Sequence, residues 1–379
     1  MPKKTAIKPN SKSSKKAQDN AKASFWPSFS LSRHVLRDIK TIWSYKITKL
    51  FAGLLVLVLV SPFIVAFSLN LHPAKSIDYG VTFSPPYATS LGFDWRKMYI
   101  DILDDLKVNN FRLVAYWNRV EPEEGKYDFS ELDWQIDEAR KRDAKVILSI
   151  GRKVPRWPEC HDPEWLKSKS KADQEKATLK LLEALVTHFK GYENISMWQV
   201  ENEPYFPFGE CTPPRWEFIN QEMELVKKLD PSRQTITQDS GEGGLWKPTY
   251  LLNGEYLGIS MYRRIWYDFW GVFLGHSIFF EYPLSYWSYP LKARIAGVPL
   301  EKVKVLELQA EPWGDGAVDN LSQEIKDKTM SKDKFLETIS YAQKTGINTL
   351  YFWGVEWWYW EKYSNNNPFF WEASKAFWR

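Results

Sequence analysis

Apolar positions follow two different rhythms along this chain. From Asp78 onward, short apolar runs alternate with longer stretches whose apolar positions recur every three or four residues. The short runs predict strands at 79–83, 110–117, 145–150, 195–200, 234–238, 257–262, 303–308 and 349–353. The longer stretches predict helices over 95–107, 131–142, 173–189, 214–228 and 332–344. Strands separated by helices pair in parallel through right-handed crossovers. Eight of them close into a (β/α)8 barrel, and the 302 residues of 78–379 suit that fold. An open doubly wound sheet would carry a glycine-rich turn after its first strand, whereas 81–91 reads VTFSPPYATSL.

The second rhythm is no rhythm at all. Residues 50–69, LFAGLLVLVLVSPFIVAFSL, form a run of twenty without a charge. That length matches a bilayer core for a helix rising about 1.5 Å per residue. A cleaved signal peptide is the rival reading. It is disfavoured by the long preceding region and the lack of a small-residue cleavage site. The expectation is therefore an uncleaved signal anchor at 50–69, a linker at 70–77 and a barrel domain at 78–379.

Charge sharpens this division. The formal net charge is +4, yet residues 1–49 hold twelve Lys and Arg against Asp19 and Asp38 alone. The remainder is therefore acidic, which argues against nucleic acid as its partner. A basic tail stays on the cytoplasmic side, so the barrel is expected outside the membrane. Within the tail, Trp26, Arg33, Arg37, Lys40 and Trp43 suit a helix lying at the membrane surface. The chain also contains 20 Trp. Packed cores favour aliphatic residues, so this surplus predicts an aromatic surface on which sugar rings could stack.

In a barrel of this kind, chemistry sits where strands end on the C-terminal face. The fourth predicted strand ends in WQVENEP, placing Asn202 and Glu203 just past the apolar run. The seventh reads VKVLELQAEP, where strict alternation puts Val303, Val305 and Glu307 on one face. Two carboxyls facing each other across a barrel mouth are what glycosidic cleavage requires. One protonates the leaving oxygen and the other attacks the anomeric carbon or activates water. Glu201 and Glu311 flank this pair as alternative actors. Glu356 is either a sugar contact or a solvated loop charge. The five His show no metal-ligand spacing and no GxSxG turn occurs, so neither a metal, a cofactor nor a serine nucleophile is expected.

These motifs resemble those of the clan A retaining glycoside hydrolases, which include cellulase-like and β-galactosidase-like enzymes. The resemblance runs over about 79–360. It implies that Glu203 is the acid/base, Asn202 a contact to the sugar 2-hydroxyl and Glu307 the nucleophile. It also implies that Arg112, in NNFRLVAYW, and Tyr262, in YLGISMY, support the nucleophile, and that Trp353 floors the cleaved sugar's subsite. Where many members carry a His after strand three, this chain has SIGRKVPRWPE, with Arg152 and Trp157. The implied activity is a retaining glycosidase or transglycosidase on a β-linked oligo- or polysaccharide. A non-catalytic glycan-binding barrel at the cell surface is the alternative.

Two further expectations come from the residues themselves. Cys160 and Cys211, the only cysteines, fall in neighbouring loops after strands three and four, and an oxidising compartment would join them. The aromatic stretch 263–294 is too broken by Gly and Pro to span a bilayer. It either roofs the active site or dips into the membrane interface, in which case the glycan would be lipid-linked or membrane-proximal.

Overall fold

A computed structural model describes residues 33–68, 73–252, 254–267, 278–314 and 316–378. The chain divides into two units, 1–63 and 64–379. In the first, a helix over Arg33–Ser44 precedes a second, Lys46–Ser68, which runs on into the other unit and carries most of the uncharged run. Leu69 and the side chains of Pro62 and of 65–68 lie outside the described residues. So do the tail up to 32, Trp26 included, and part of the linker. Among the described residues no helix is long and apolar enough to cross a membrane.

The second unit is a closed barrel of eight parallel strands. They are β1 (Asp78–Thr82), β2 (Asn110–Val114), β3 (Lys145–Ile150), β4 (Ile195–Val200), β5 (Gln234–Asp239), β6 (Tyr256–Met261), β7 (Val303–Gln309) and β8 (Thr349–Trp353). Each pairs with its neighbours in order, and β8 closes on β1 from Asp78↔Thr349 to Thr82↔Trp353. All eight strands and the (β/α)8 class expected from the apolar rhythm are present. The major helices also form, as Trp95–Asp104, Ser130–Arg140, Lys171–Phe189, Trp216–Leu229 and Lys332–Lys344. Their starts are set by side chains that satisfy free amides: Asp94 accepts from Arg96 and Lys97, Ser170 from Asp173, Ser331 from Lys334.

Two cores result. The larger lies between strands and helices and takes up Val81, Phe111, Val146, Trp198, Val303, Val305 and Phe352 with the inner faces of the helices. A smaller one fills the barrel interior with Ile147, Met197, Ile236, Leu306 and Tyr351. The tryptophan surplus goes mainly into the larger core. Trp117, Trp198, Trp246, Trp357, Trp358 and Trp371 are among the largest fully buried side chains. Part of the surplus thus forms an aromatic core, where indole rings supply large apolar area between barrel and helices.

The alternation assigned to β7 also needs correction. Val303 and Val305 face the outer core while Leu306 points into the barrel. Strict alternation would send Glu307 outward again. Instead β7 carries one extra residue against β6, pairing Ile259↔Val305 and then Ser260↔Glu307. A matching shift occurs against β8. Such a bulge re-aims the following side chain, and here it turns Glu307 into the barrel mouth.

The aromatic stretch 263–294 begins as a hairpin, Arg264–Tyr267 paired antiparallel with Ile278–Glu281. Its tip at 268–277, including Trp270 and Phe273, lies outside the described residues. A helix, Ser288–Ala296, leads back towards β7.

Candidate active site

Above the interior apolar layer sits a layer of polar side chains pointing up the barrel. Arg112 on β2 is fully buried, and every nitrogen of its guanidinium is engaged. Nε donates to Gln199 Oε1 on β4 at 2.6 Å, and Nη2 donates to Asn202 Oδ1 and Gln238 Oε1, both at 2.7 Å. Nη1 donates to Glu307 Oε1 at 2.8 Å, forming a buried ion pair. Gln238 Nε2 adds a bond to the same oxygen at 2.9 Å, and Tyr262 Oη donates to Oε2 at 3.1 Å. Glu307 is thus ringed by donors and one cation, in charge-assisted contact with Arg112.

Glu203 is placed very differently. β4 ends at Val200, and the next residues turn sharply, with Glu201 at φ +60° and Glu203 at φ +42°. Left-handed backbone at non-glycine residues is strained and concentrates at working sites. The Glu203 carboxyl is buried, and Ser260 Oγ donates to its Oε1 at 2.6 Å. Burial, then the charges of Glu307 and Glu159, hold its pKa well above the usual carboxylate range.

The flanking acids that competed for these roles are occupied within the protein. Glu201 accepts from the backbone amides of Arg152 and Lys153 at 2.6 and 2.9 Å, stapling the ends of β3 and β4 together. Gly151 leaves room for this. At its φ of +122° a Cβ would lie 2.3 Å from Glu201 Oε1. Glu311 pairs with Arg156 Nη1. Glu356 is fully buried, accepts from the Ser84 amide at 2.6 Å and pairs with Arg156 Nη2 at 3.1 Å. Burial pushes its pKa up to about 7, opposed by Arg156. It is not a solvated loop charge but half of the clamp on Arg156.

Arg156 was not anticipated, and it organises the wall beside Trp353. Its guanidinium lies 4.0 Å from the Trp353 ring centroid and 3.9 Å from that of Tyr87. Arg152, by contrast, turns away to Asp162 and Gln174. Trp157 is 62% exposed and meets Phe208 at 5.7 Å between centroids. Phe208 meets Trp313 at 5.9 Å, and Trp313 meets Tyr262 edge-on at 4.9 Å. This aromatic rim follows the mouth from the β3 loop round to the tyrosine beside Glu307.

Gln199, Gln238, Ser260, Lys153 and Glu159 complete the site and were also not anticipated. A polar side chain inside an otherwise apolar strand was the available signal for the first three. The expected disulfide is present: Cys160 and Cys211 are joined, with Cα atoms 5.4 Å apart. It ties the loop after β3 to the loop after β4. The base of the aromatic hairpin is fixed to the same face, since Gln309 Oε1 accepts from the amides of Arg263 and Arg264, both at 2.9 Å.

With this geometry in place, comparison with known proteins is informative. Residues 94–217, which include β4 and its Glu203 turn, match the family model of the beta-galactosidases of glycoside hydrolase family 42. The barrel resembles those of glycoside hydrolases. Beta-galactosidase BbgII of Bifidobacterium bifidum is 32% identical over 107 residues. That alignment takes in 24% of this chain and only 16% of the relative. Among solved structures, GH5_18 from Streptomyces cattleya, determined in complex with GlcNAc, superimposes with a TM-score of 0.52 at 14% identity. The match covers 74% of this chain and 70% of that one. GH5_18 from Bifidobacterium longum gives 0.50 at 13% identity with the same coverage. At such identities the structural likeness speaks for the fold. The resemblance to clan A glycoside hydrolases thus rests on sequence in 94–217 and on architecture across the barrel.

Proposed function

We propose that this chain is a glycosidase that cleaves or transfers a β-linked glycan by a retaining double displacement. Glu307 acts as nucleophile and Glu203 as acid/base. The observation that carries this reading is the contrast between the two carboxyls: Glu307 accepts from Arg112, Gln238 and Tyr262, whereas Glu203 is buried among acids with its proton favoured. Two carboxyls in such unlike surroundings can divide the labour of glycosidic cleavage. Glu307 attacks the anomeric carbon while the Glu203 proton passes to the leaving oxygen. Water or a second sugar, deprotonated by Glu203, then releases the glycosyl group from Glu307. Asn202, held by Arg112, presents its amide to the sugar 2-hydroxyl, and Trp353 floors the ring.

The similarity of 94–217 to beta-galactosidases makes β-galactosides the first substrates to screen. The chain is further proposed to be anchored through 50–69 with its barrel outside the cytoplasm. The uncharged run of twenty residues supports this, as does the basic tail. A glycan near or on the membrane follows as its substrate. Activity on chromogenic β-glycosides should vanish in Glu307→Gln, falling by on the order of four powers of ten. Glu203→Ala should regain turnover with added azide, which needs no general base. Undiminished activity in Glu307→Gln would remove the assignment. For the anchor, alkaline carbonate should leave the full chain in the membrane fraction, and release would refute it.

A further inference from the structure

Glu159 stands at the centre of the site without a place in the mechanism above. It lies in the loop after β3, only 5% exposed, with a left-handed backbone at φ +67°. The loop around it is tied down on every side. The Glu159 amide donates to Arg156 O at 2.7 Å, and its own carbonyl accepts from the Val154 amide at 2.9 Å. Cys160, the next residue, is bonded to Cys211, and Lys153 bridges to Cys160. Gly209 of the β4 loop closes over the side chain so tightly that a Cβ there would sit 3.0 Å from that of Glu159. A strained, buried acid held this firmly calls for a function.

Its carboxylate faces two groups of the site. Oε1 accepts from Asn202 Nδ2 at 3.1 Å. Oε2 has no hydrogen-bond partner, with Lys153 Nζ 3.2 Å away as its counter-ion. Lys153 Nζ also donates to the carbonyls of Glu203 and Phe206, both at 2.8 Å. A continuous chain therefore runs Glu307–Arg112–Asn202–Glu159–Lys153 and on to the backbone of Glu203.

We propose that Glu159 is a positioning residue, which locks the Asn202 amide in one orientation and sets a carboxylate beside the acid Glu203. The proposal rests on the reading of Glu203 as the acid. The lock follows from donor and acceptor chemistry. Arg112 can only donate, so it takes the Asn202 oxygen; an ionised Glu159 can only accept, so it takes one N–H. The second N–H is left for the sugar. The proton balance follows from charge. Glu203 faces Glu307 and Glu159 as anions, with Ser260 and Lys153 opposing them, and a nearby negative charge disfavours its ionisation. Glu159 itself is pushed up to about 7 by burial, against the pull of Lys153 and with Glu307 adding to the rise.

The test needs no substrate. The full chain in detergent is labelled with ¹³C at the glutamate side-chain carboxyls, and the Glu203 signal is identified by its loss in Glu203→Gln. In Glu159→Gln the Glu203 titration midpoint should fall by about half to one pH unit. In Glu159→Asp, whose carboxylate withdraws by one methylene, it should fall by less. Where turnover is measured, the alkaline limb of kcat/KM should move down by the same interval in each variant. If Glu159→Gln does not fold, Glu159→Asp carries the test alone. A midpoint matching that of the unsubstituted chain in the folded variants overturns the proposal. Loss of turnover in Glu307→Gln tests the glycosidase reading separately, so the two can fail independently.

Discussion

The two halves of the barrel mouth hold the same side chain in opposite company. On the β2, β5 and β7 side, Glu307 accepts from Arg112, Gln238 and, from the end of β6, Tyr262. On the β3 and β4 side, Glu203 lies near Glu159, and the turn's Glu201 is raised to about 7 mainly by burial. Behind them Glu222, on the helix Trp216–Leu229, is fully buried with neither carboxyl oxygen hydrogen-bonded. Burial and the charge of Glu201 keep its pKa well above the usual range. One half thus surrounds its glutamate with donors and a cation, the other with burial and further acids. Residue type does not assign the roles of two glutamates; their surroundings do.

The largest disturbance of this contrast should come from Arg112→Met. It removes the cation paired to Glu307 and strands its buried carboxylate, a loss on the order of 3–5 kcal/mol. Turnover should drop by about a thousandfold while the fold survives at reduced Tm, both readable on one purified variant. Near-native turnover would mean that Gln238 and Tyr262 suffice to hold the charge.

A smaller change on the acidic half comes from Ser260→Ala. The Ser260 hydroxyl favours the ionised form of Glu203, so its removal should raise that pKa further. Activity requiring protonated Glu203 then persists to higher pH, and the alkaline limb moves up by about half a unit. This is opposite in sign to the expected effect of Glu159→Gln. Equal signs in the two variants would show that the limb reports a different group.

The smallest effect concerns stability. Glu222 has a raised folded-state pKa, so the native state keeps a proton that the unfolded chain releases above about 4.3. Its contribution therefore declines as pH rises beyond that value. Glu222→Gln carries no such proton. Its Tm should match that of the unsubstituted chain near pH 4 and exceed it by a few degrees at pH 8. A constant difference between the two melting curves across that range would exclude titration of Glu222 in the folded state.

What the sequence determined is local. Apolar runs and helical periodicity are properties of neighbouring residues, and they were enough for eight strands, five helices and the closed barrel. The acids at two strand ends were legible for the same reason, since a barrel exposes strand ends on one face. The cysteine pairing followed from loops that the topology makes neighbours. What only the tertiary structure decided lies between elements. The bulge that turns Glu307 inward depends on how β7 registers against β6 and β8. The burial of Trp117, Trp198, Trp246, Trp357, Trp358 and Trp371 depends on how strands and helices pack around them. The capture of Glu356 by Arg156 joins positions 200 residues apart, and no spacing in the chain encodes it. Glu159 stayed unseen because a lone glutamate in a loop reads as a solvated charge. Its weight comes from burial beside Asn202 and Lys153, which exists only once β3 and β4 pair and the chain has closed on itself.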